Sequence, residues 1–221
     1  MAITDSIPAD TNSAVTDGSC SGPARVVLLA SGAGTLAQSV LDSTGKADCP
    51  YRVTALVTDR DCEAVTRAAD AGLATAAVRP RDHADREAWD RALTDVVRGF
   101  EPDWVVSAGF MRILGQAFLD EFAGRVINTH PALLPAFPGA NAVRDALDYG
   151  VTVTGCTVHL VDAGVDTGPV IGQRVVDVRA DDTEATLHER IKVVEREMLV
   201  DVLAAAARGR LHIEGRKVHR S

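Results

Sequence analysis

The chain has 221 residues, 46% of them apolar and 24% charged, a balance that suits one large domain or two small ones and excludes disorder, collagen and fibres. Its net charge is -8, with 23 basic against 31 acidic residues and nine aromatic side chains, so nucleic acid is a poor partner, because phosphate backbones need surplus cations and bases need stacking platforms. No apolar run approaches the roughly 18 residues that a membrane-spanning helix requires, whereas a small anionic ligand needs only a local pocket.

Residues 1–24 are rich in Ser, Thr, Asp, Ala and Gly, lack periodicity, and are expected to form a flexible polar tail. They contain no Lys or Arg and carry Asp5, Asp10 and Asp17, the reverse of a secretory leader. The cysteines, Cys20, Cys49, Cys62 and Cys156, are scattered, so neither a disulfide framework nor a Cys-built zinc site is expected. The chain reads as cytoplasmic with reduced thiols. A single domain is expected over 25–221. Short apolar runs at 26–30, 53–57, 104–108 and 126–128 predict buried strands. Helical stretches fall at 35–43, 62–71, 85–98 and 116–122; in the third, Trp89, Leu93, Val96 and Val97 follow helical spacing. Such alternation predicts an α/β fold with a doubly wound, mostly parallel, Rossmann-like sheet. After residue 130 the pattern changes. Pro131, Pro135 and Pro138 mark a loop, a helix follows at 142–149, and strands at 152–161 and 170–178 predict a mixed C-terminal extension. A terminal helix at 184–207 precedes a basic tail.

In open α/β sheets, ligands bind beyond the carboxyl ends of the strands. The first such end carries Ser31-Gly32-Ala33-Gly34-Thr35, a glycine turn opening a helix, suited to an anion or simply to a tight connection. With Ala37 and the later Asp59 it also meets a loose dinucleotide fingerprint. Next comes Gly109 to Leu114, where Phe110, Met111 and Ile113 offer an apolar wall and Arg112 a polar contact. Asn128 and His130 lie two residues apart on a strand and project to one side, an amide donor beside an imidazole. Pro131 holds the His130 backbone extended. Asp166, in a turn-rich segment, is either a turn former or a carboxylate that stabilises imidazolium.

In these residues the chain resembles the folate-dependent formyltransferases, and within them the branch acting on phosphoribosylglycinamide (GAR). The resemblance spans about 25–211 and rests on SGAGT, AGFMRIL, INTHPALLPAFPG and GVDTGPVI in that order. It implies formyl transfer from 10-formyltetrahydrofolate as co-substrate, in de novo purine synthesis, with no metal. It implies that Gly34, Thr35 and Leu36 hold the phosphate of the amine substrate by their backbone. Met111, Arg112, Ile113 and Leu114 would line the folate pocket, and Arg86 would meet the folate glutamate. Asn128, His130 and Asp166 would be catalytic, with Asn128 also touching the folate. Glu195 would hold ribose hydroxyls, with Lys192 beside it. The glycine loop is one residue shorter than the common family form, and Ala132, Asn141 and Val143 stand where polar or His residues are frequent.

Small molecules are therefore the expected partners, with neither nucleic acid nor membrane; a homodimer is allowed. A formyltetrahydrofolate deformylase would use the same Asn/His/Asp set on water. A methionyl-tRNA formyltransferase would need a further C-terminal domain and a basic surface. An NAD(P)-dependent oxidoreductase would account for the glycines but for neither the NTHP segment nor GVDTGP.

Overall fold

The computed structural model describes residues 22–221. Cys20 and all but the last three residues of the expected tail lie outside the described residues. Strand β1 (Ala24–Ala30) leads into α1 (Thr35–Ser43), β2 (Tyr51–Thr58), α2 (Glu63–Asp70) and β3 (Ala74–Ala77). A 3-10 turn at Pro80–Asp82 precedes α3 (Arg86–Arg98), β4 (Trp104–Ser107), α4 (Gln116–Glu121) and β5 (Val126–His130). Then follow α5 (Ala142–Tyr149), β6 (Val153–Leu160), β7 (Val170–Asp177), α6 (Glu184–Ala207), β8 (Leu211–Glu214) and β9 (Lys217–Arg220).

The nine strands form one sheet in the order β3-β2-β1-β4-β5-β6-β7-β9-β8. The first five in that order are parallel, and β6 and β7 pair antiparallel. Strand alternation divides the core in two. Val26, Leu28 and Ala30 of β1 face a core shared with α1, α2 and α6, whereas Val27 and Leu29 face one built by α3 and α4. Side chains on both faces of each parallel strand are thus buried, which is why these strands read as continuous apolar runs.

Local chemistry fixes the helix ends. Asp85 caps α3 by accepting from the Ala88 amide at 2.7 Å, and Thr183 with Thr186 forms a reciprocal cap at the start of α6. In α3 the stripe Trp89, Leu93 and Val97 is buried, and the Trp89 indole N–H donates to the Val78 carbonyl at 2.9 Å. Asp90, buried on the same helix, accepts from the amides of Gly115 and Phe118 and so caps α4 from outside.

Two elements differ from expectation. The segment Ala74–Ala77 is a strand, although alanine is a poor strand former; it pairs with β2 at the sheet edge. The basic tail is a hairpin, β8 against β9, joined to the sheet by the pairing of Val170 with Lys217.

Candidate active site

The ends of β1, β4 and β5 are neighbours in the sheet, so the three segments singled out after them meet. The Ser31 amide donates to the Gly109 carbonyl at 3.2 Å, and the Met111 amide donates to Ser31 Oγ at 2.9 Å. The glycine loop and the 109–114 segment are therefore stitched together.

Gly34 is the N-cap of α1 and has φ 72°. A Cβ there would lie 2.6 Å from the Ala64 Cβ and 2.8 Å from its Cα, so both the backbone conformation and the close approach of α2 require glycine. The loop carbonyls of Gly32 and Ala33 are taken by the Ala64 amide and Arg67 Nε. Thr35 and Leu36 begin α1, where first-turn amides have no intrahelical acceptor and can meet an anion.

In the 111–114 segment, Met111 and Ile113 are exposed, whereas Leu114 is buried in the α3–α4 core and backs the segment from inside. Arg112 does not turn to this wall but donates to Asp59 at 2.7 Å. Arg86 sits at the start of α3, donates to the Ile113 carbonyl and lies 5.1 Å over the Trp89 ring. The arginine expected to meet the folate glutamate is thus held against the 111–114 segment.

Asn128 and His130 share a face of β5, and the antiparallel register sets His159 opposite Asn128. His130, buried, has Nδ1 3.3 Å from Asp166 Oδ2 and Nε2 2.7 Å from the Phe137 carbonyl. Both ring nitrogens thus face acceptors, an arrangement that a doubly protonated ring satisfies. Asn128 Nδ2 lies 3.1 Å from His159 Nε2, and His159 Nδ1 lies 2.8 Å from the Leu160 carbonyl. The carbonyl calls for a proton on His159 Nδ1, and Nε2 faces both the Asn128 amide and, at 3.7 Å, Asp166 Oδ1. Of the two N–H groups of the Asn128 amide, one remains for a ligand oxygen.

Asp166 has φ 54° on the loop between β6 and β7 and accepts from the Gly139 amide at 2.8 Å. A Cβ at Gly168 would lie 1.7 Å from the Leu160 carbonyl oxygen, so glycine lets this loop close onto β6. The adjoining His159 ring, the Gly139 amide and the His130 ring together outweigh burial and hold the Asp166 carboxyl below the ordinary carboxylate range. His159 is the residue that sequence reasoning missed. Its signal was the one imidazole in a strand whose other side chains are apolar or threonine, visible as functional only once the register placed it across from Asn128.

Glu195 is buried on the apolar stripe of α6. Burial pushes its carboxyl above the ordinary range, against a hydrogen bond from Thr129, the residue between Asn128 and His130. Lys192, one turn earlier, is engaged with Glu189 at 2.8 Å. Burial also pushes the thiol of Cys156, in β6, up to about 12, which suits a core residue and not a nucleophile. Among the described residues, no group of three or more His, Cys, Asp or Glu could hold a metal ion, and no helix is long and apolar enough to cross a membrane.

An amide donor, an imidazole backed by an ionised carboxylate, and a free helix start beside an apolar wall suit acyl transfer between two bound substrates. The sequence profile of the formyl transferase family matches residues 24–203. The chain belongs to that family. A phosphoribosylglycinamide formyltransferase from Mycobacterium tuberculosis is 56% identical over 204 residues, covering 90% of this chain and 94% of that one. The structure of glycinamide ribonucleotide transformylase 1 from Symbiobacterium toebii matches this formyl transferase with a TM-score of 0.88 at 41% identity, covering 90% and 94% of the two chains. A formyltetrahydrofolate deformylase from Pseudomonas syringae matches with a TM-score of 0.83 at 26% identity, and only 66% of that chain is covered.

Proposed function

We propose that this formyl transferase moves the formyl group of 10-formyltetrahydrofolate to the primary amine of GAR, giving formyl-GAR and tetrahydrofolate in de novo purine synthesis. The observation that carries the reading is the Asn128, His130, Asp166 and His159 cluster, standing beside a glycine loop that is hydrogen-bonded to the Met111–Leu114 segment. The loop would take the phosphate of GAR, the segment would take the folate, and the cluster would work on the carbon between them.

The neutral amine attacks the formyl carbon and its electron pair moves onto oxygen. The free Asn128 N–H and the charged His130 ring meet that oxyanion; losing one such donor costs about 10²–10³ in kcat. Asp166, held ionised, stabilises the imidazolium through Nδ1. The Nε2 proton now points at the Phe137 carbonyl, so its delivery requires that bond to be exchanged for one to substrate. The proton lost by the amine is matched by one gained at the departing folate nitrogen. Holding both reactants side by side supplies the orientation term.

His130→Ala tests this: turnover should fall by about 10²–10⁴ with GAR and folate binding retained, measured by calorimetry beside steady-state kinetics. Full turnover in that variant would overturn the mechanism. The oxidoreductase reading loses its ribose ligand, because the Asp59 carboxylate is solvent-inaccessible and committed to Arg60 and Arg112.

A further inference from the structure

Asp59, the first residue after β2, is a buried charge that the mechanism above does not use. Its side chain has no solvent exposure, and Arg60 and Arg112 donate to it at 2.8 and 2.7 Å. Ser31 donates a third hydrogen bond. Burial alone would raise this carboxyl, but the donors bring it down to about 2, so it is ionised at neutral pH.

Two of the three donors come from the two segments that frame the site. Ser31 opens the glycine loop, and Arg112 lies in the middle of the 109–114 segment. A hydroxyl carries one proton and two lone pairs. Ser31 gives its proton to Asp59 and accepts the Met111 amide at 2.9 Å, so the second segment reaches the same carboxylate by two routes, Arg112 directly and Met111 through Ser31. Toward solvent the segments are open: Gly32, Ala33, Met111 and Ile113 are exposed. Toward the protein, both are anchored on one sealed charge.

A ligand that fixes one segment removes part of the freedom of the other, because short charge-assisted bonds tie them together. The second ligand then has less left to order, which is positive coupling without a large movement. We infer that Asp59 is a positioning residue that couples the two segments, so that GAR on the glycine loop tightens folate on the 111–114 segment, and the reverse. The inference rests on the substrate reading above.

The test uses GAR and tetrahydrofolate, a pair that holds no formyl group and cannot react. Calorimetry measures tetrahydrofolate affinity with and without saturating GAR, on the full chain and on its Asp59→Asn, Ser31→Ala and Asp61→Asn variants. An amide at 59 keeps one acceptor oxygen and turns an NH2 toward the guanidinium donors, so it cannot hold all three. Ser31→Ala removes only a hydroxyl and keeps the measurement decisive if Asp59→Asn disturbs folding. In the parent, GAR should tighten tetrahydrofolate about fivefold or more. In Asp59→Asn and Ser31→Ala that factor should fall below about twofold, and the effect of tetrahydrofolate on GAR should fall equally, as linkage requires. Asp61, two residues on, has a side chain 78% exposed, and Asp61→Asn should keep the parent factor. A merely structural role would weaken each ligand alone and leave the factor unchanged; so would coupling by direct contact between the ligands. An unchanged factor in Asp59→Asn or Ser31→Ala, no coupling in the parent, or an equal loss in Asp61→Asn would overturn the inference while leaving the substrate reading intact. If the parent binds neither ligand, the substrate reading falls and the coupling falls with it.

Discussion

Asp166 adopts a left-handed backbone among three polar groups, the His130 and His159 rings and the Gly139 amide, which hold its carboxylate ionised. Asparagine tolerates that conformation as well as aspartate does, so Asp166→Asn removes charge without adding backbone strain. Turnover should fall across the working pH range, with substrate binding kept. Because the folded carboxyl sits below its ordinary value of about 3.9, its stabilising contribution is present above that value and is lost as pH falls through the lower, folded one. The parent should therefore melt higher than Asp166→Asn at neutral pH, and the gap should close below about pH 4. A gap that persisted into acid would contradict the pairing. Gly34→Val brings a Cβ against Ala64 at a left-handed position. It should raise the GAR concentration needed for half-maximal rate far more than the folate concentration, and parallel rises in both would count against the loop as the phosphate site. Asn128 and His130 were legible as a pair because strand alternation is a local rule. His159 was not, because its partner is 31 residues away and only the register brings them together.

The elements that sequence showed best are those whose pattern is complete within one segment. In α3 the stripe Trp89, Leu93 and Val97 was visible in the spacing, and the buried indole also donates to Val78. Trp89→Ala should cost about 3–5 kcal/mol, read by denaturant unfolding, and should lower folate affinity as well, because Arg86 rests on that ring. A loss of stability with unchanged folate affinity would detach Arg86 from the site. Asp90 was unreadable on the same helix, since the amides it caps belong to α4. Strand β3 lacks any β-branched residue but Thr75 and is held by register with β2. In β8 and β9 the alternation of Leu211 and Ile213, then of Val218, was present, but the basic side chains between masked it.

Across the whole molecule, one sheet with alternating faces serves two cores, and the site sits where the parallel strands give way to the antiparallel pair. The C-terminal hairpin reaches back to that place: Arg216 donates to the Thr167 carbonyl at 2.8 Å, one residue past Asp166. An exposed bond of this kind contributes about 0.5–1.5 kcal/mol, so Arg216→Ala should scarcely move the melting temperature. It should lower kcat a few-fold with KM unchanged if the hairpin steadies the Asp166 loop; an unaltered kcat would assign the contact to the surface alone. The doubly wound half was evident in the alternation of runs, whereas the joining of the tail to β7 depends on a single distant pairing.

The most direct test of the central claim is product analysis of the purified protein with 10-formyltetrahydrofolate, with and without GAR. Formyl-GAR and tetrahydrofolate, appearing together in equal amounts and only when GAR is present, are the predicted result. Formate released equally in both tubes would contradict it and assign the same four polar groups to hydrolysis.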